Sequence, residues 1–219
     1  MAPQEQRQQV TLEPGQPMAA RIDWRPPDTS HDDWLFGTGA TPLEQGVVWA
    51  AAVLGLGLIV WQGVFAPPPG WAWWHHWVSA VILLDVAGGA VANTLGTAKR
   101  LYFGPLRQPA SARTRLLHHP IGFTALHLHP VVIAVLYPGG QLWWGMLWYL
   151  ITLVGVGIVR ASPLYLARPV AMLLFTGVVL LQSVISAPTG WGWFVPVFLA
   201  KLLLAHAVRE EPYRPDVVS

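Results

Sequence analysis

Between Glu44 and Glu210 the chain carries a single carboxylate, Asp85, in a long and otherwise apolar interval. A carboxylate in hydrocarbon is costly and by default marks a functional position. His119, His127 and His206 stand in similar surroundings, with one lysine, Lys201, among them. Imidazole and carboxylate suit zinc or non-haem iron, and a site with an open coordination position would be catalytic. The same groups serve as general acids and bases without a metal. The plainer readings are an Asp85–Lys201 ion pair and histidines that hydrogen-bond between helices. No His-Glu-x-x-His, Walker loop, dinucleotide fingerprint, nucleophile elbow or EF-hand occurs.

The elements that must position these groups are membrane helices. Hydrophobic residues make up 53% of the chain and charged residues 11%, too few charges for an ordinary soluble domain. Crossing the hydrocarbon takes roughly 20 apolar residues. Such stretches run near 46–65, 73–97, 116–136, 142–159, 164–186 and 191–208. The expected fold is therefore an all-α, polytopic membrane bundle of six helices. Lys99, Arg100, Arg107, Arg113 and Arg115 crowd the second loop and Arg160 and Arg168 the fourth, while the odd loops carry no Lys or Arg. The positive-inside rule then puts both termini in the cytoplasm, with the protein in the cell (inner) membrane. Trp61, Trp71, Trp73, Trp74, Trp77, Trp143, Trp144, Trp191 and Trp193 gather at the outer ends, as an interfacial belt would.

Three domain-level segments follow: a polar, acidic tail over 1–44, a membrane domain over 45–208 and a short tail over 209–219. The first tail lacks the apolar core of a signal peptide, and it is expected to be disordered, to dock a partner or to cover the cytoplasmic mouth of the bundle. With no cysteine, disulfides and Cys-ligated metals are excluded. The basic residues read as topology signals, not as a nucleic-acid surface.

The outer loops resemble one another. Ala66-Pro67-Pro68-Pro69-Gly70-Trp71 aligns with Ser186-Ala187-Pro188-Thr189-Gly190-Trp191, and Tyr137-Pro138-Gly139-Gly140 lies on the same frame. The pattern reads as one helical hairpin used three times, with Pro68, Pro138 and Pro188 equivalent. Those prolines give a depth scale at about 1.5 Å per residue. Asp85 lies 17 residues past its proline, His119 lies 19 before and His206 lies 18 past, so the three are expected at one level in the cytoplasmic half. His76, His127 and His129 fall nearer the outside, with Lys201 between the levels. Asp85, Gly88, Gly89, Ala92, Asn93 and Gly96 share one helix face of mostly small residues.

Several functions compete. The first is a membrane-embedded enzyme on a lipid or isoprenoid-like substrate, with Asp85, His119, His206 and Asn93 catalytic and Lys99, Arg100 and Arg115 at the substrate head group. His119, His127 and His206 are the metal candidates. The second is a b-type haem protein, ligated by His76 with His129 and by His119 with His206. The third is a proton, ion or solute transporter, which would require a homo-oligomer. The fourth is a structural subunit of a larger membrane complex.

Overall fold

Thr41 opens the first long helix with a reciprocal cap. The Glu44 N–H donates to Thr41 Oγ1 (3.2 Å), and the Thr41 N–H donates to the Glu44 carboxylate (2.7 Å). Helix α1 then runs over Pro42–Phe65. In this computed structural model the described residues are 20–25, 33–106 and 110–215. Arg107 and most of the amino-terminal tail, Pro26 and Pro27 included, lie outside them. Helix α2 (Trp73–Leu83) widens into a π-helical stretch, Leu84–Gly88, and resumes as α3 (Gly89–Ala92). Then come α4 (Gly96–Phe103), α5 (Ala112–His118), α6 (Pro120–Ala125) and α7 (His129–Leu136). The long helices α8 (Leu142–Ala161) and α9 (Leu164–Gln182) precede α10 (Phe194–Leu199), which passes into a second π-helical stretch, Ala200–His206.

The molecule is all-helical apart from one short strand pair, and it has the make-up of a multi-pass membrane protein. Among the described residues four helices are long and apolar enough to cross a bilayer: Pro42–Phe65, Trp73–Ala92, Leu142–Ala161 and Leu164–Gln182. A fifth is Ala112–Leu136 if that bent pair counts as one span, and Phe194–His206 is a shorter apolar helix.

The stretch 116–136, expected as one straight helix, is broken. It bends by 93° between His118 and Pro120. Proline disfavours helical geometry at the residue before it, and His119 accordingly lies in the extended region (φ −86°, ψ 119°). A second interruption at Leu126–Leu128 precedes the proline at the start of α7.

The shortest of the apolar helices is the most enclosed. Phe194, Val195, Phe198, Leu199, Leu202 and Leu203 are all within 1% of full burial, packed with Trp144, Trp148 and Trp191. Helices α1 and α9 instead expose apolar rows, among them Leu54, Val60, Leu173 and Leu180, which suit lipid contact. The tryptophans divide between these roles. Trp61, Trp73, Trp77 and Trp143 are exposed, as a belt requires, but Trp144 and Trp191 belong to the core.

Three turns meet at one end of the bundle. The Trp71 N–H donates to the Pro68 carbonyl (3.2 Å) and the Trp191 N–H to that of Pro188 (2.9 Å), with Gly70 and Gly190 at positive φ. Glycine supplies that conformation without steric cost. In the middle turn the Gly140 N–H donates to Tyr137, and Gly139, not Gly140, is the left-handed residue. Its frame is thus one residue away from the expected alignment. The Thr189 N–H bonds the Pro138 carbonyl (3.1 Å), and Trp71 Nε1 donates to the Thr189 carbonyl (3.0 Å). At the other end, β1 (Ala20–Ile22) pairs antiparallel with β2 (Tyr213–Pro215).

Candidate functional site

Both π-helical stretches carry a charge, and the two charges meet. Lys201 Nζ donates to Asp85 Oδ2 at 2.6 Å. π-Helical turns are rare and recur at functional sites, so two of them facing each other is a notable pairing. Lys201 fits because Gly89 has no side chain: a Cβ there would stand 2.7 Å from Lys201 Cε. His129 Nε2 lies 3.4 Å and His127 Nε2 3.8 Å from the same oxygen. His127 Nδ1 is 2.8 Å from the Phe123 carbonyl. A carbonyl only accepts, so Nδ1 carries the proton, and in the neutral ring the lone pair on Nε2 faces Asp85.

The pair is lopsided. The Asp85 side chain is 46% exposed and that of Lys201 only 3%. All three nitrogens approach Oδ2, and among the described residues Oδ1 has no hydrogen-bond partner. Asp85 lines a cavity of about 480 Å³, half open at its rim. The walls are Val48, Trp49 and Ala52 of α1, Val81, Leu84, Gly88, Gly89 and Ala92 beyond them, and Trp34, Leu35 and Phe36. Asn93, Tyr102, His127 and Lys201 supply the remaining polar contacts. Few polar groups in an apolar hollow of this size is the usual make-up of a small-molecule site.

The segment before α1 is built to hold its part of that wall. Asp33 accepts from the N–H groups of Leu35 (2.9 Å) and Phe36 (3.1 Å), and Thr97 Oγ1 donates to the Phe36 carbonyl (2.5 Å). Trp34, Trp49, Tyr102 and Phe123 were not singled out as site residues in the sequence. Their chain separation, 34 to 123, leaves no local signal, and only the aromatic character of the tail's tryptophan hints at a packed role.

The other expected residues sit as follows. Asn93 is buried on the cavity wall and its Nδ2 has no partner. His206 is fully buried, stacked on Phe123 at 4.1 Å and edge-on to Tyr102 at 4.6 Å, with neither ring nitrogen bonded. It backs the site from behind Phe123. His119 does not join them: the bend at Pro120 leaves it exposed at the elbow, without an ion-pair contact to Asp85. The common level expected for Asp85, His119 and His206 is thereby corrected, and so is the two-level scale, since His129 and Lys201 meet Asp85 directly. Residues in the turn before Trp73 contribute no descent, and the π-helical stretches change the rise.

Among the described residues no group of three or more His, Asp or Glu is placed to hold a metal ion. At Asp85 the Lys201 ammonium takes the place a metal cation would need. The expected haem pairs are likewise not assembled. His76 packs edge-on against Trp71 at 5.0 Å in the turn cluster, whereas His129 faces Asp85. Phe123 covers the face of His206, and His119 lies at the elbow.

Lys99, expected at a substrate head group, lies inside the protein. It is buried, donating to the carbonyls of Ala205 and Val208 (2.7 Å to the latter), with Glu210 at 3.7 Å. It caps the end of the last helix, where carbonyls lack partners. Burial pulls its ammonium down to about 8, against the opposing pull of Glu210. Arg100 is buried and reaches the Asp23 carbonyl (3.4 Å), while Arg115 bonds the Ala110 carbonyl (3.0 Å). No protein-family model matches the chain, and no similar curated protein or solved structure was found. Geometry alone carries the functional reading.

Proposed function

We propose that the chain is a membrane-embedded enzyme that draws a lipophilic molecule into the cavity beside Asp85 and removes a proton from it. The observation that carries this reading is the half-exposed Asp85 carboxylate, clamped through Oδ2 with Oδ1 free toward an apolar hollow. In the reaction Oδ1 takes a proton from a substrate hydroxyl or activated carbon, and the electron pair stays on the substrate. Lys201, fixed in place beforehand, stabilises that developing negative charge. The lone pair of His127 Nε2 accepts the proton in turn from Asp85. Asn93 lies eight residues along the same face, ~12 Å away, so it orients a second polar point of the substrate and not the reacting one. His119 has no part in this scheme, and His206 shapes the wall.

The same proposal includes six crossings as three hairpins, with both ends in the cytoplasm of a cell (inner) membrane. Its support is the clustering of the three outer turns, the strand pair between the two tails, and the basic residues at the tail end. Tails on one face require an even number of crossings. The test of the chemistry is an untargeted lipid mass-spectrometry comparison of membranes incubated with the purified protein. In heavy water, wild type should place deuterium on a carbon of a lipid species that the Asp85→Asn variant leaves unlabelled, and identical profiles would overturn the enzyme reading. Because the chain has no cysteine, single cysteines report topology cleanly. Thr189→Cys and Gln141→Cys should label from outside, and Ser162→Cys only after permeabilisation; the reverse pattern refutes the orientation.

A further inference from the structure

Resting on the proposed use of this cavity, we infer that its ligand has an uncharged head, a hydroxyl or carbonyl on a lipophilic body, and neither a phosphate nor an ammonium. The argument is one of charge. Among the described residues lining the cavity, Asp85 and Lys201 are the only fixed charges, and they are joined at 2.6 Å. The hollow is therefore dipolar and carries no net charge.

An anionic head would find Lys201 already engaged by Asp85 and would face the more exposed member of the pair, the carboxylate. The other cations weighed for a head group, Lys99, Arg100 and Arg115, have partners of their own. Lys99 is sunk on the Ala205 and Val208 carbonyls, Arg100 points to the Asp23 carbonyl, and Arg115 holds the Ala110 carbonyl. A cationic head would have to share Asp85 with Lys201, whose ammonium is almost fully enclosed and has no water to fall back on. A neutral donor avoids both penalties. It reaches the free Oδ1, while the unpartnered Asn93 Nδ2, buried on the same wall, donates to a second oxygen further along the body. A buried amide without a partner calls for an explanation, and an acceptor brought by the ligand supplies one.

Trp34 and Trp49 line the cavity and report on occupancy. The probes are a terminally brominated long-chain alcohol, its phosphate monoester, and the trimethylammonium of the same chain. Each is titrated into the full-length protein in lipid nanodiscs while tryptophan fluorescence is followed. The alcohol should quench saturably, and the two charged probes should bind about ten-fold more weakly or worse. Lys201→Met should turn the preference toward the ammonium and Asp85→Asn toward the phosphate, with the double variant returning to the alcohol. Wild-type quenching by the phosphate or the ammonium at the alcohol's affinity overturns the neutral-head inference and leaves the cavity standing. If the saturable component survives unchanged in a Trp34→Phe/Trp49→Phe variant, or no probe quenches saturably, the cavity itself is not the binding site and both readings fall.

Discussion

His75 at the turn end and the polar groups around the cavity are bonded in opposite ways. At the turn end His75 is fully employed: Nδ1 accepts from the Ala72 N–H (2.7 Å) and Nε2 donates to the Leu136 carbonyl (3.1 Å). Tyr137 donates to the His75 carbonyl (2.7 Å) and contacts the Ser79 hydroxyl at 3.0 Å. Around the cavity the pattern reverses. Asn93 Nδ2, His129 Nδ1 and both nitrogens of His206 are buried without partners, and Asp85 keeps one oxygen free. Unpaired atoms also occur among the outer turns, at His76 Nδ1 and the indole nitrogens of Trp191 and Trp193, so a missing partner alone does not mark a site. What sets the cavity apart is a half-exposed carboxylate oxygen beside an apolar hollow.

That contrast can be broken most sharply at the ion pair. Asp85→Asn strands the enclosed Lys201 charge and should lower stability by about 3–5 kcal/mol, while Asp85→Asn with Lys201→Met should recover most of it. Thermal unfolding of the three variants in one detergent gives the cycle; equal losses in the single and double variants would mean that the pair is not coupled. The next largest effect belongs to the turn end. His75→Phe removes two hydrogen bonds and leaves the Ala72 N–H and Leu136 carbonyl bare, at a cost of about 2–3 kcal/mol. Probe binding at the cavity should not change in this variant, and a change would dissolve the division between the two regions.

The smallest effect tests a residue that belongs to neither region. Lys99→Met should cost about 1–2 kcal/mol at neutral pH by uncapping the last helix. Burial brings the folded ammonium to about 8 against 10.5 for a free lysine, so between those values the unfolded chain holds more protons than the folded one. Wild-type stability should therefore rise with pH across that window relative to Lys99→Met. A gap that stays flat across the window would show that the lysine keeps its proton when buried.

What could be read from the sequence was what depends on composition and short spacing. Asp85 and Lys201 stood out because charges are rare in apolar stretches, and the small face of Gly88, Gly89 and Ala92 followed from helical periodicity. Both turned up at the cavity. What was hidden depends on local backbone detail or on long-range packing. Pro120 turns the third segment aside and removes His119 from the group. The π-helical stretches rotate Asp85 and Lys201 toward each other, and nothing in residue spacing announces them. The wall made by Trp34, Leu35 and Phe36 comes from a tail with no usable periodicity, held by an aspartate turn and one threonine sixty-one positions away. The short segment Phe194–His206 looked like any other span, yet its burial lets it carry a lysine and a histidine away from lipid.

The strand pair between residues 20–22 and 213–215 has a consequence for the order of biosynthesis. A ribosome delivers the first strand before any helix has entered the membrane, and its partner only after the last helix is in place. Until then the segment in front of α1 is held by Thr97 and by Phe36, which packs on Val48, Trp49 and Ala92. The Asp23 N–H bond to the Pro212 carbonyl and the stacking of Arg209 on Trp24 likewise wait for the end of translation. The strand pair therefore forms as a late event, after insertion, and a nascent chain halted before residue 213 would hold all its helices with the two tails not yet joined.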